Sequence, residues 1–155
     1  MKTTFKIIDG NLYEYDSNGK EIHFKRSADG DEFWREYDSH GNLIHFKHSN
    51  GYEYWYEYDG NGNEIHYKTS NGYEIWREFD SDGNEIHSKD SDGCERWYEY
   101  DSHGDLTHYK TSNGDEYWYD SNGNSITKKE FDELNSSCAG KIVTISGKKY
   151  QLKLV

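Results

Sequence analysis

Asn63-Glu64-Ile65-His66-Tyr67-Lys68-Thr69-Ser70-Asn71-Gly72-Tyr73-Glu74-Ile75-Trp76-Arg77-Glu78-Phe79-Asp80-Ser81-Asp82-Gly83 decides the fold, because these twenty-one residues hold two strands and two turns. The segments Asn63–Lys68 and Tyr73–Phe79 are short, rich in β-branched and aromatic residues, and alternate with period two, which is strand patterning. Ser70-Asn71-Gly72 and Asp80-Ser81-Asp82-Gly83 supply a side chain that caps its own backbone and a glycine for the left-handed position. Strands joined by such short turns are antiparallel neighbours.

The unit repeats. Trp34, Trp55, Trp76, Trp97 and Trp118 recur every 21 residues, and Gly30, Gly51, Gly72, Gly93 and Gly114 keep step with them. A second series, Gly19, Gly41, Gly62, Gly83, Gly104 and Gly123, marks the other turn, and His23, His45, His66, His87 and His108 follow it. Its first interval is 22, which reads as an insertion at Ala28, and its last is 19, which reads as a strand shortened by two. The expected fold is all-β: an antiparallel meander of five to six two-strand repeats, as a single-layer or rolled sheet. Ile65, Tyr67, Tyr73, Ile75 and Phe79 are expected on one face; Glu64, His66, Lys68, Glu74, Trp76 and Glu78 on the other.

Composition agrees. Only 32% of the 155 residues are hydrophobic, yet 15 Tyr, 6 Phe and 5 Trp supply large area for burial, and there is no Pro. The two cysteines, Cys94 and Cys138, form neither a disulfide framework nor a zinc pattern. No stretch is apolar enough for a membrane-spanning helix, and the first ten residues lack a signal core, so a cytoplasmic location is expected. The expected organisation is one structural domain: a β-repeat array over 1–126, whose first strands cap one end, and a cap over 127–155. In that cap Thr127-Lys128-Lys129-Glu130 matches a capping box ahead of a two-turn helix. Lys141–Ile145 and Tyr150–Leu154 flank the hairpin signal Ser146-Gly147-Lys148-Lys149.

The signature Tyr-Asp-x-x-Gly, at Tyr37-Asp38 to Gly41, Tyr58-Asp59 to Gly62 and Tyr100-Asp101 to Gly104, resembles the YD repeats of RHS-type proteins. The Gly-, Tyr- and Glu-rich unit also resembles bacterial MORN-type repeats, some of which occur in antitoxin-like proteins. The resemblance covers roughly residues 11 to 126. It implies a β-repeat fold and supplies no catalytic residues.

Histidines two strands apart stand about 9–10 Å from one another, too far for neighbours to share one metal ion. The Asp80 turn lacks the spaced ligand set of a calcium loop. The carboxylate pairs repeat in every unit, whereas hydrolysis needs one differentiated pair. No unique nucleophile–base constellation surrounds any Ser or Cys. A non-enzymatic protein without cofactor or metal is expected.

Charge points to a partner. The net charge is −12; residues 1–37 carry −2 and 120–155 carry +2, so 38–119 hold the whole excess. Direct binding to nucleic acid or an anionic membrane is disfavoured. The expected function is inhibition of a basic, nucleic-acid-binding protein, such as a nuclease or defence effector, by charge mimicry. Small acidic phage proteins such as DNA-mimicking anti-CRISPR proteins are similar in charge and size. The expected contact residues are Asp80, Asp82, Glu85, Asp90, Asp92, Glu95, Glu99, Glu74 and Glu78, with Trp55, Trp76 and Trp97 as anchors. An antitoxin neutralising one cognate toxin, and a carbohydrate- or cell-surface-binding repeat with the Trp row as platform, are the alternatives. A homodimer through the aromatic face is a further expectation.

Overall fold

The computed structural model describes residues 3–136, and the backbone alone of two later strands. Thirteen antiparallel strands follow chain order across one meander. They are β1 (Thr4–Ile8), β2 (Asn11–Tyr15), β3 (Glu21–Lys25), β4 (Glu32–Tyr37), β5 (Leu43–His48), β6 (Glu53–Tyr58) and β7 (Glu64–Thr69). Then come β8 (Glu74–Phe79), β9 (Glu85–Asp90), β10 (Glu95–Tyr100), β11 (Leu106–Thr111), β12 (Glu116–Tyr119) and β13 (Ser125–Ile126). The helix α1 (Lys128–Ser136) follows, then the paired strands β14 (Ile142–Ile145) and β15 (Lys148–Gln151). The chain falls into two compact units, residues 1–95 and 96–155.

In the first unit each Asp-x-x-Gly turn is closed by its aspartate. Asp59 Oδ1 accepts the Asn61 and Asn63 backbone N–H groups at 2.8 and 2.9 Å, and Asn63 Nδ2 donates to Asp59 Oδ2 at 3.0 Å. Asp38 and Asp80 repeat this with Asn42 and Asn84. The glycine closing the Asp59 turn, Gly62, has φ +90°. At the other end of the strands, serine ties one repeat to the one before. Ser70 N–H donates to the Glu53 carbonyl at 2.8 Å, and Glu53 N–H donates to Ser70 Oγ at 3.1 Å. Ser49 with Glu32 and Ser91 with Glu74 do the same. The Ala28 insertion is visible as a longer turn: Gly30 N–H reaches back four residues to Arg26 O, where Gly51 N–H reaches three, to His48 O.

In the first unit a bulge interrupts each strand pairing that spans an Asp-x-x-Gly turn, as at Glu36/Tyr37, Glu57/Tyr58 and Glu78/Phe79. At the second of these Glu57 faces His66 but Tyr58 faces Glu64, so Ile65 has no partner. This corrects the expected faces. Glu64 turns away from His66 to the tyrosine face, where it pairs with Arg77, and Ile65 lines a hollow with His66, Trp76 and Glu78. The tyrosine of the Tyr-Asp signature reaches back into the preceding repeat. Tyr58 Oη donates to Leu43 O at 3.0 Å and Tyr37 Oη to Glu21 O at 3.2 Å, each carbonyl lying at an earlier bulge.

The tyrosine face is held by an aromatic ladder. Tyr13, Phe24, Phe33, Phe46, Tyr54 and Tyr67 lie on six successive strands, with ring centroids 4.8–6.0 Å apart. Phe24, at 9% exposure, is the one buried apolar side chain among the described residues. Contact along a single layer thus replaces an enclosed core, with aromatic pairs adding to area burial. Two arginines stand in this face: Arg77 pairs with Glu64 and Glu85, and Arg35 pairs with Glu21 while lying 4.3 Å from the Phe33 centroid.

In the second unit Tyr98, Tyr109 and Tyr117 form a ladder over β10, β11 and β12. The capping box forms: Thr127 N–H donates to Glu130 Oε2 at 2.8 Å and Glu130 N–H to Thr127 Oγ1 at 3.2 Å. The helix packs on β12 through Phe131 against Trp118, centroids 4.8 Å apart, with Lys128 Nζ at 5.2 Å from the same ring. The second strand of the hairpin starts at Lys148, which pairs with Ile145, so Lys148 and Lys149 belong to the strand and not to the turn. Cys138, Ser146, Gly147, Leu152 and Leu154 lie outside the described residues.

Candidate partner-binding face

Register builds the opposite face. In the first unit the paired positions run Glu14, His23, Trp34, Lys47, Glu53 across β2 to β6, and Glu36, His45, Trp55, Lys68, Glu74 across β4 to β8. A third string starts Glu57, His66, Trp76, Lys89. Each repeat is therefore displaced by two residues along the strands. Equivalent side chains stand about 12 Å apart, from two strand spacings and two residue rises. The 9–10 Å expected for the histidine row omitted this stagger.

Four histidines of the row, His23, His45, His66 and His108, lie against a tryptophan and between two glutamates. His66 stacks on Trp76 at 5.1 Å and 8°, and its ring nitrogens stand 3.5 Å from Glu57 and 3.1 Å from Glu74. His23 and His45 repeat the arrangement with Trp34 and Trp55. In the second unit His108 stacks on Trp118 at 3.8 Å, between Glu99 and Glu116. Among the described residues no three ligating side chains are grouped to hold a metal ion.

The two glutamate rows differ. Glu53, Glu74 and Glu95 are half-buried and held by Lys47, Lys68 and Lys89 at 2.8–2.9 Å. The Lys68 hydrogen bond is the largest influence keeping the Glu74 carboxyl below its ordinary range, with His66 adding to it; Lys89 does the same for Glu95. Glu36, Glu57 and Glu78 are instead 68–69% exposed, each 3.4–3.5 Å from histidine Nδ1. Trp76 is 43% exposed beside them, and Ile86 borders it.

The expected contact residues do not form one patch. Glu74, Glu78, Trp55, Trp76 and Glu95 share the tryptophan face with their neighbours in the first unit. Trp97 and Glu99 pair with Lys110 and His108 in the second. Glu85 is on the tyrosine face, bound by Arg77. Asp80 is consumed as a turn cap. Asp90 caps the opposite turn, accepting the Asp92 and Cys94 N–H groups, and is only 5% exposed. Asp82 and Asp92 are exposed at turns on opposite ends of β9. The sequence reading missed Glu36 and Glu57; the 21-residue spacing that links Glu36, Glu57 and Glu78 was the available signal.

No protein-family model and no curated protein matches the chain. Solved structures do. A Photorhabdus luminescens Tc holotoxin pore carrying a TccC3 mutation superposes with TM-score 0.58 at 20% identity, over 75% of this chain and 6% of that one. Two crystal structures, TcdB2-TccC3-TEV and TcdB2-TccC3-Cdc42, give 0.57 and 0.52 at 13% and 18% identity. Each covers 80% of this chain and 9% or 7% of the other. This chain thus spans under a tenth of the length of these neighbours, and at such identities the likeness is one of fold. That fold agrees with the YD/RHS-type β-repeat resemblance and does not bear on MORN-type repeats.

Proposed function

We propose that the chain is a non-enzymatic binding module that receives a basic protein on the glutamate/tryptophan face of its first unit. The observation that carries this is the unequal treatment of the two carboxylate rows. Lysines neutralise Glu53, Glu74 and Glu95, while Glu36, Glu57 and Glu78 project with, among the described residues, only a histidine paired to each. Cationic side chains of the partner engage that outer row, and their apolar stems lie against Trp76 and Ile86. At about 12 Å per repeat the row is far sparser than the phosphates of a nucleic-acid strand. It therefore suits discrete basic side chains better than it copies a phosphate track. Displacement of nucleic acid from the partner is the finer form of this proposal.

Titration against a panel of basic nucleic-acid-binding proteins at 50 and 500 mM salt tests it, with nucleic acid as competitor. Affinity should fall at least tenfold between the two salts, as expected for exposed charges. It should fall as much when Glu36, Glu57 and Glu78 are all changed to Gln. A partner held equally by the triple variant binds elsewhere, and the proposal is then wrong.

A further inference from the structure

Of the protections found on sheet edges, strand β1 carries a single lysine, Lys6. It contains no proline, and its pairing with β2 runs in register from Thr4↔Tyr15 to Ile8↔Asn11 without a bulge, unlike β2 with β3. Its apolar side chains are open: Phe5 is 60% exposed, Ile7 76% and Ile8 48%. The turn Asp9-Gly10, with φ +49° and +82°, is a two-residue hairpin of the type that suits strand twist.

The ladder pattern says what kind of strand this edge accepts. Ile7 faces Leu12 at the positions that His23 and Trp34 occupy one repeat later. Within the array the histidine of a short strand takes a glutamate from the strand before it, as His45 takes Glu36. Ile7 cannot accept such a contact, so an apolar side chain suits this position better than a glutamate. Residues flanking a two-residue turn exchange both hydrogen bonds, and pairs alternate from there. Ile8, Lys6 and Thr4 therefore bond to β2, and the N–H and C=O groups of Phe5 and Ile7 point outward.

We infer that β1 is a self-association edge, joining a second copy of this chain through antiparallel β1–β1 pairing centred on Lys6. That register sets Phe5 of each copy opposite Ile7 of the other, on one face, and completes four outward hydrogen bonds. Lys6 meets its symmetry mate, but its Nζ is drawn back 4.8 Å from its own Tyr15 ring. Charge permits the approach at this edge: residues 1–37 carry −2 while residues 38–119 carry −12. This interface uses the strand edge and not the aromatic face, and it does not depend on the basic partner. Raising salt strengthens it by screening acidic repulsion between copies, whereas the partner contact weakens.

The test is sedimentation equilibrium of the full chain over a wide concentration range at low and high salt. Weak association is expected, strengthened by salt and reduced at least tenfold by Ile7→Lys, a change at an exposed site. In a background with Cys94 and Cys138 changed to Ser, Lys6→Cys should form an oxidised dimer at least tenfold faster than Ile8→Cys, since only residue 6 meets itself. A monomer at every concentration overturns the inference, as does equal cross-linking by Lys6→Cys and Ile8→Cys.

Discussion

Gly60 and Gly62 stand two residues apart in one turn, and replacing each by alanine should move stability in opposite directions. A Cβ on either would meet nothing within 4 Å, so packing does not enter the comparison. Gly62 has φ +90°, where an L-residue is strained, whereas Gly60 is not in that region. Serines occupy the position of Gly60 in the turns at Ser39, Ser81 and Ser102. For Gly60→Ala the surviving effect is the reduced freedom of the unfolded chain, a gain of about 0.4–1 kcal/mol. For Gly62→Ala that gain is overtaken by a left-handed penalty of about 1–2 kcal/mol, leaving a net loss of about 1 kcal/mol. The two variants should thus differ by about 1.5–2 kcal/mol. Urea unfolding followed by tryptophan fluorescence resolves this, because a slope of about 2 kcal/mol per molar separates the midpoints by nearly one molar. Midpoints displaced in the same direction would refute the assignment of this turn.

Ser70→Ala should cost about 1 kcal/mol, because Ser70 Oγ serves the Glu53 N–H at 3.1 Å and the Gly51 carbonyl at 3.3 Å; unchanged urea stability would remove the serine tie from the account. Stability should also fall at both ends of the pH scale. Glu74 and Glu95 titrate below the ordinary glutamate value of 4.5, so their contribution is complete above it and lost as pH falls through their lower folded values. Burial first, then neighbouring acidic groups, raises Tyr56, Tyr58 and Tyr67 above 10.0, so theirs is complete below that and lost as pH rises through the raised values. Denaturation across pH checks both limbs, and Lys68→Met should weaken the acid limb by releasing Glu74.

Most of the fold was legible because glycine and Asx turns punctuate the chain at a fixed interval and period-two alternation survives between them. The capping box at Thr127 was equally local, needing four consecutive residues. What escaped were properties that arise between strands. The bulge that turns Glu64 to Arg77 depends on how a turn joins two ladders, and alternation within β7 alone assigns Glu64 to the wrong face. The two-residue stagger is likewise a sum of turn lengths, invisible in any single strand. Glu53 and Glu57 look alike in the sequence, but the stagger gives one a lysine and leaves the other in water. The role of Ser70 was hidden because serine in a turn already has an adequate local explanation.

The slanted strings have one more implication. Each joins residues from three successive repeats, so no repeat owns a complete one, yet all strings are the same. Excising or duplicating a whole 21-residue block within β3 to β9 would reconnect every broken string with an equivalent partner. Losing a single strand residue would exchange the two faces for everything beyond it. The extra residue at Ala28 is harmless because it sits in a turn. Such a chain can change length in whole steps while its surface chemistry stays constant, which suits an array lengthened or shortened by recombination.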